Sequence, residues 1–241
     1  MIKIIRKYLG VLVALPFLLA STITISGAFE VPGFNGFAVG VGLTGASLHT
    51  KGTETDAEGT VHAGNVKDSK AMEYASIFGE VRFTVADRLG LTLGASIIPG
   101  EAEFVKETKP DTDLTDVAAE GTPTTGTSTI KGKISNFQKI YIQPTVRVTD
   151  VFSVYLTAGL STMDIEGNAT LVTSTDFNKT IASDGTHFGV GVMADLANGF
   201  FVKVEGNASD YDGVTFTTAD STTAKADMDE ESVSLLLGKA F

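Results

Sequence analysis

The chain of 241 residues contains no cysteine, no tryptophan and only 6 prolines. Without cysteine there is no disulfide framework and no thiolate metal site. Positive charge is scarce: 18 Lys and Arg stand against 29 Asp and Glu, a net charge of -11. That balance argues against nucleic acid as a partner, because phosphate binding wants a basic surface. No apolar run approaches the ~20 residues that a membrane-spanning helix needs, and helical periodicity is almost missing. What the chain has instead is glycine, 26 residues of it, and long stretches in which apolar residues occupy every second position.

The first segment has the parts of an export signal in the right order. Lys3, Arg6 and Lys7 precede an apolar run from Tyr8 to Ala20, and Ser26-Gly27-Ala28 forms a small-x-small cleavage site before Phe29. This predicts a secretory signal peptide over 1–28 and a mature domain over 29–241.

Period-two alternation predicts an all-β mature domain of eight strands. They run about Gly36–Leu48, Met72–Val85, Leu89–Glu103, Ser135–Val148, Phe152–Met163, Thr186–Leu196, Phe200–Ser209 and Glu231–Phe241. One face of each is apolar, as in Val39, Val41 and Leu43. The other is small, polar or charged, as in Gly40, Gly42 and Thr44. Hairpin-length links are expected at Asp87-Arg88, Thr149-Asp150 and Ala197-Asn198-Gly199. The other four links are read as polar loops of roughly twenty residues or more, beyond the usual loop length. Pro144 removes a ladder donor and predicts a bulge in its strand.

Short and long links alternate strictly, and each strand approaches the ~9–11 residues that cross a bilayer. This is the pattern of an antiparallel up-and-down transmembrane β-barrel with three short periplasmic turns and four long extracellular loops. Phe37, Phe83, Phe152, Phe200 and Phe241 all fall on the apolar face at the short-turn end, where an aromatic girdle belongs. The last strand carries Val233, Leu235 and Leu237 at alternate positions before Phe241. Lys239 interrupts that face and is expected to snorkel to water.

On these features the chain resembles the small eight-stranded bacterial outer-membrane barrels of the OmpA transmembrane-domain and OmpX type. The terminal Phe241 with its alternating Val233, Leu235 and Leu237 is similar to the signal that such proteins present to the barrel-assembly machinery. The resemblance implies the bacterial outer membrane, reached after signal-directed export, with outer-membrane lipid and lipopolysaccharide as surroundings and a monomeric state. No wall-binding domain follows the last strand in this sequence, so the wall-anchoring role of the OmpA type is not implied.

Seven charged residues are expected to face the lumen: Glu80, Arg82, Lys139, Arg147, Asp195, Lys203 and Glu205. An eight-stranded interior is just wide enough for side chains, so an ion-paired plug is the first expectation. The small inward residues of the first, third, fifth and sixth strands leave room for a narrow ion path as the alternative. Of the three histidines, His49 and His62 belong to the first long link and His187 to the loop-side rim. None forms a His-x-Ser pair, and no catalytic residue or cofactor is expected. Asp210, Asp212, Asp227 and Asp229 are weak metal candidates, with a solvated acidic face as the plainer reading.

The leading functional expectation is a non-enzymatic barrel with a structural or surface-binding role, adhesive or receptor-like, acting through its long loops. A small passive pore is the alternative. A secreted lipocalin-like barrel, with its apolar faces turned inward, is the third reading.

Overall fold

The computed structural model describes residues 36–55, 59–111, 126–170, 177–217 and 223–241; the expected signal peptide lies outside them. The elements are β1 (Gly36–Thr55), β2 (Val61–Ala86), β3 (Leu89–Ile97), β4 (Ala102–Asp111), β5 (Gly126–Arg147), β6 (Phe152–Thr170), β7 (Phe177–Asp195), β8 (Phe200–Thr217) and β9 (Thr223–Ala240). All pairings are antiparallel between neighbours. β1 pairs with β9, from Ala38 opposite Ala240 to Thr55 opposite Thr223, and β3 pairs with β5, so the sheet closes.

β3 and β4 both pair with β5 and are two halves of one barrel strand. The break falls at Ile98-Pro99-Gly100. Proline has no amide hydrogen to donate, and Gly100 has φ +104°, a conformation that only glycine adopts easily. The ring is therefore eight-stranded. Below the break β2 pairs with β3 as far as Ile77–Ile97. Above it, no ladder joins β2 to β4 among the described residues, and the wall has a notch there.

The three short turns sit where the sequence places them. Asn198 (φ 61°) and Gly199 (φ 76°) make the β7–β8 link. At the β5–β6 link, the Thr149 hydroxyl accepts from the amides of Val151 and Phe152, at 3.3 and 2.9 Å. The long links differ from expectation. Most of their length is strand: β2 starts at Val61, β5 at Gly126, and β6 runs to Thr170. The cause is a reversal of polarity rather than an end of pairing. In the lower barrel Val41, Leu43, Leu156, Phe188, Val190, Val233, Leu235 and Leu237 stand outward and exposed, the inverse of a lipocalin-like barrel. Above Leu43 and Val233 the inward side becomes apolar. Leu48, Met72, Phe137, Met163, Ile165, Tyr211, Val214 and Met228 form a buried cluster there, while Glu73, Asp229 and Glu231 lie exposed outside. A stretch that is polar outside and apolar inside folds as an ordinary water-facing barrel.

Pro144 makes no bulge: it holds its register opposite Leu91. Its missing amide is tolerated where the β5–β6 ladder skips from Ile142 to Thr145 without a shift. The bulge of β5 lies instead between Ser135 and Gln138, at Asn136, whose φ of 50° suits asparagine.

Glycine does not leave the lumen empty. Phe78 is paired with Gly40, Tyr141 with Gly94, Tyr155 with Gly191, Phe201 with Gly238 and His187 with Gly159. Each ring lies over its partner glycine, so that a Cβ on Gly94 would stand 2.3 Å from the Tyr141 ring. The room expected beside small inward residues is thus taken by rings from the neighbouring strand, an aromatic cover for glycine. Gly94→Ala is expected to destabilise the barrel by roughly 1–3 kcal/mol through overpacking. Gly206→Ala, where nothing lies within 4 Å, should be near neutral. Heat-dependent gel mobility of the refolded variants compares the two.

Candidate functional site: the charged lumen

Each lumen charge is carried inward by strand parity. On β2, Glu80 and Arg82 share the inward face with Phe78. On β8, Lys203 and Glu205 share it with Phe201. Glu80 is 0% exposed and Lys203 2%. Such charges can stay only when paired and hydrogen-bonded, and the geometry supplies this.

The Glu80 carboxylate is the hub. Its Oε2 accepts from Arg82 Nη2 at 3.0 Å and from Arg82 Nε at 3.2 Å. Its Oε1 accepts from the Tyr141 hydroxyl at 3.0 Å and from Lys203 Nζ. Lys203 also donates to Gln143 Oε1 at 2.9 Å. The Gln143 amide then donates to Glu205 Oε2 at 2.9 Å, and Thr157 Oγ1 donates to the same oxygen at 2.8 Å. Lys139 completes the chain 3.8 Å from Glu205 Oε1. The network joins β2, β5, β6 and β8 across the lumen, tying strands that are not neighbours in the sheet.

Aromatic rings close the space below. The Arg82 guanidinium lies 3.8 Å from the Phe201 ring centre, and Phe78 and Phe201 meet at 6.2 Å. Above, the buried apolar cluster fills the protruding barrel, with Tyr74 against Phe137 at 6.3 Å. Between these levels lies a cavity of about 40 Å³.

Of the seven expected lumen charges, Glu80, Arg82, Lys203 and Glu205 are buried. Lys139 reaches the network from its edge. Arg147 and Asp195 are half-buried at the short-turn end. On the outer wall Phe83, Phe152, Phe200 and Phe241 are exposed, as are Val233, Leu235 and Leu237. Phe37 departs from that row: it is 7% exposed. It sits at the barrel seam, paired with Val81 on one side, while its carbonyl accepts the Phe241 amide at 2.8 Å on the other. Lys239 does not simply reach for water. Its amine lies 5.2 Å from the Phe200 ring centre and 5.3 Å from that of Phe241, so the girdle itself receives the charge.

Asp210 and Asp229 stand opposite one another on the exposed outer face, and Asp212 and Asp227 are also exposed. Among the described residues no group of three or more acids, histidines or cysteines gathers as a ligand set. His49 lies on β1 rather than in a loop, and the side chain of His62 is outside the described set.

Two lumen residues escape the sequence reading. Glu230, next in sequence to Asp229, is 4% exposed and points inward. Both Tyr74 and Tyr211 donate to it, each at 3.2 Å. His187 is 2% exposed. Continuing the inward parity of Ser234 and Ser232 to Glu230 would have found the first. Carrying Met193, Gly191 and Gly189 back to position 187 would have found the second.

A family profile described as an outer membrane protein beta-barrel domain matches residues 15–237. The chain belongs to that family. Its strands therefore cross the bacterial outer membrane, and its exposed apolar wall faces lipid. No curated protein matches the chain. Among solved structures it is similar to Ail, the attachment invasion locus protein of Yersinia pestis, at 9% identity and a TM-score of 0.37, covering 83% of this chain and 99% of that one. It is similar to Neisserial surface protein A at 12% identity and 0.39, covering 85% and 99%. The outer membrane protease OmpT of Escherichia coli is similar at 13% identity and 0.40, covering 90% and 100%.

Neutralising the hub should be costlier than removing one of its cations. Glu80→Gln leaves Lys203 and Arg82 buried without their carboxylate and is expected to destabilise by about 3–5 kcal/mol. Lys203→Met should cost less, because Arg82 still holds Glu80. Urea unfolding of both variants in lipid vesicles measures the difference.

Proposed function

We propose that the protein is a closed, non-enzymatic barrel of the outer membrane that works as a scaffold, presenting its protruding ribbons for adhesive or receptor-type contacts. The observation that carries this reading is the filling of the lumen at two levels. Glu80, Arg82 and Lys203 with Phe78 and Phe201 occupy the lower one, and the Leu48–Met72–Met163–Met228 cluster the upper. A path for solute would have to displace both.

The protruding part supports a surface role. Its apolar core gives the ribbons a fixed shape, and its outer face is polar. A rigid platform loses less conformational entropy on binding than a floppy loop of equal length. On the same reading, residues 1–28 direct export. The last strand with Val233, Leu235, Leu237 and Phe241 engages the assembly machinery, and the folded monomer sits among lipopolysaccharide.

Single-channel recording of the refolded barrel in a planar bilayer tests the proposal. A silent membrane containing correctly folded protein is expected. Steady conductance that changes on Glu80→Gln or Lys203→Met would overturn the closed reading in favour of a passive pore.

A further inference from the structure

The protruding barrel is split on two sides. Among the described residues, the β7–β8 ladder stops at Gly185–Tyr211, and no ladder joins β2 to β4 above Ile77–Ile97. Above those levels the strands form two four-stranded halves, β2–β1–β9–β8 and β4–β5–β6–β7. The Ser183 hydroxyl donates to the Asp212 carbonyl across the β7–β8 cleft, at 2.9 Å. Packing does the rest, with Leu48, Met72 and Met228 from one half against Phe137 and Met163 from the other.

One side chain is tied to the root of both clefts. Glu230, on β9, is 4% exposed. Its Oε1 accepts from the Tyr74 hydroxyl and its Oε2 from the Tyr211 hydroxyl, each at 3.2 Å. Tyr211 is the last residue of β8 paired with β7, and its ring lies over Gly185 there. Tyr74 stands just beyond the last β2–β3 pair, and its ring meets that of Phe137 on β5 at 6.3 Å. The Phe137 carbonyl accepts the Ile98 amide at the β3–β4 break. Glu230 thus positions two rings that reach from one half to the other, each where a cleft begins.

A negative charge does not suit that place. The lumen ion pairs go to Glu80 and Glu205. Around Glu230, Lys139 of β5 and His187 of β7 line the same cavity, while Lys203 and the two paired acids lie deeper in it. Lys70 of β2 stands two strands away, across Leu48. A buried carboxylate without an adjacent counter-charge is costly, and the neutral acid avoids that cost. Glu230 lies above Val233, outside the membrane-crossing wall. Burial raises its pKa above the ordinary carboxylate range, and the hydroxyls of Tyr211, Tyr74 and Ser232 and the charge of Lys139 oppose this only in part.

We propose that Glu230 is a proton-operated latch: as a neutral acid it holds Tyr74 and Tyr211 so that the two halves of the protruding barrel stay together, and its ionisation lets them part along the two clefts. The latch concerns closure of the upper barrel and holds whether or not the outer surface is adhesive. The folded pKa stands above the unfolded value of ~4.3. The latch therefore stabilises fully below that value, and its contribution is lost as the pH rises through the folded pKa.

The chain has no cysteine, so spin labels go only where they are placed. Ala182→Cys on β7 and Thr215→Cys on β8 are exposed positions on opposite sides of one cleft. In the refolded barrel the label-to-label distance should be short and narrowly distributed in weak acid, and longer and broader in mild alkali. With Glu230→Gln added it should stay short throughout. In parallel, the urea midpoints of the unlabelled proteins should be alike in weak acid, with the wild type falling below Glu230→Gln as the pH rises. A distance that ignores pH, or one that lengthens equally in Glu230→Gln, overturns the proposal. So does a difference in urea midpoint that stays constant with pH. If the glutamine variant does not refold, Glu230→Met, neutral and of similar length, takes its place in both measurements.

Discussion

Lipid offers no hydrogen bonds to a polypeptide backbone, and the whole architecture answers to that. A sheet can cross only if it closes, and this chain closes where its first strand meets its last. The β1–β9 ladder runs unbroken from Ala38–Ala240 to Thr55–Thr223, and the Phe241 amide adds one more bond to the Phe37 carbonyl. The seam accounts for pairing that holds through Ala240. An open end there would leave donors and acceptors facing hydrocarbon. The same constraint also explains where, among the described residues, the ladders stop: β7 and β8 are unpaired beyond Gly185–Tyr211, and β2 and β4 are not joined. The notch between β2 and β4 begins above the Ile77–Ile97 pair, at the top of the exposed apolar wall, where water can serve the unpaired edges.

Closure then creates a second problem. Strand alternation that turns the aliphatic rows outward must turn the residues between them inward, into a space about the size of the side chains themselves. Two devices fill it. Rings from one strand lie over glycines of the next. Charges from opposite walls meet at Glu80 and Glu205 and are held by Tyr141, Gln143 and Thr157. The devices depend on each other: Tyr141 both covers Gly94 and donates to Glu80, so packing and charge pairing are parts of one arrangement.

Much of this was legible in the alternation alone. The strand number, the short turns, the outward wall and the inward placing of Glu80, Arg82, Lys203 and Glu205 follow from period two. The errors have a common physical origin. Alternation was read only where its outward face was apolar, because that is the lipid-facing signature. Above Leu43 and Val233 the alternation continues with its polarity reversed, so the strands there looked like polar loops. Glu230 is hidden for that reason, as is the core of Leu48, Met72, Met163 and Met228, whereas His187, beside the outward Phe188, follows from the ordinary parity of its strand. Pro144 and Phe37 are different. Their neighbours, a skipped stretch of ladder and the barrel seam, are set by register across strands, which no single stretch of sequence reveals.

The reversal of polarity is what the proposed closed barrel rests on. A barrel that ended at the lipid boundary would have a charged lumen opening on loops, and small inward glycines would leave the pore reading in contention. Here the wall continues into water and acquires an apolar interior. Such an interior excludes ions for the same reason that it stabilises the ribbons: burying Leu48, Met72, Met163 and Met228 is favourable only while water stays out. Stiff protruding ribbons and a closed upper lumen are therefore one property. On the proposed closed reading, a passive pore would require the core that shapes the outer surface to come apart.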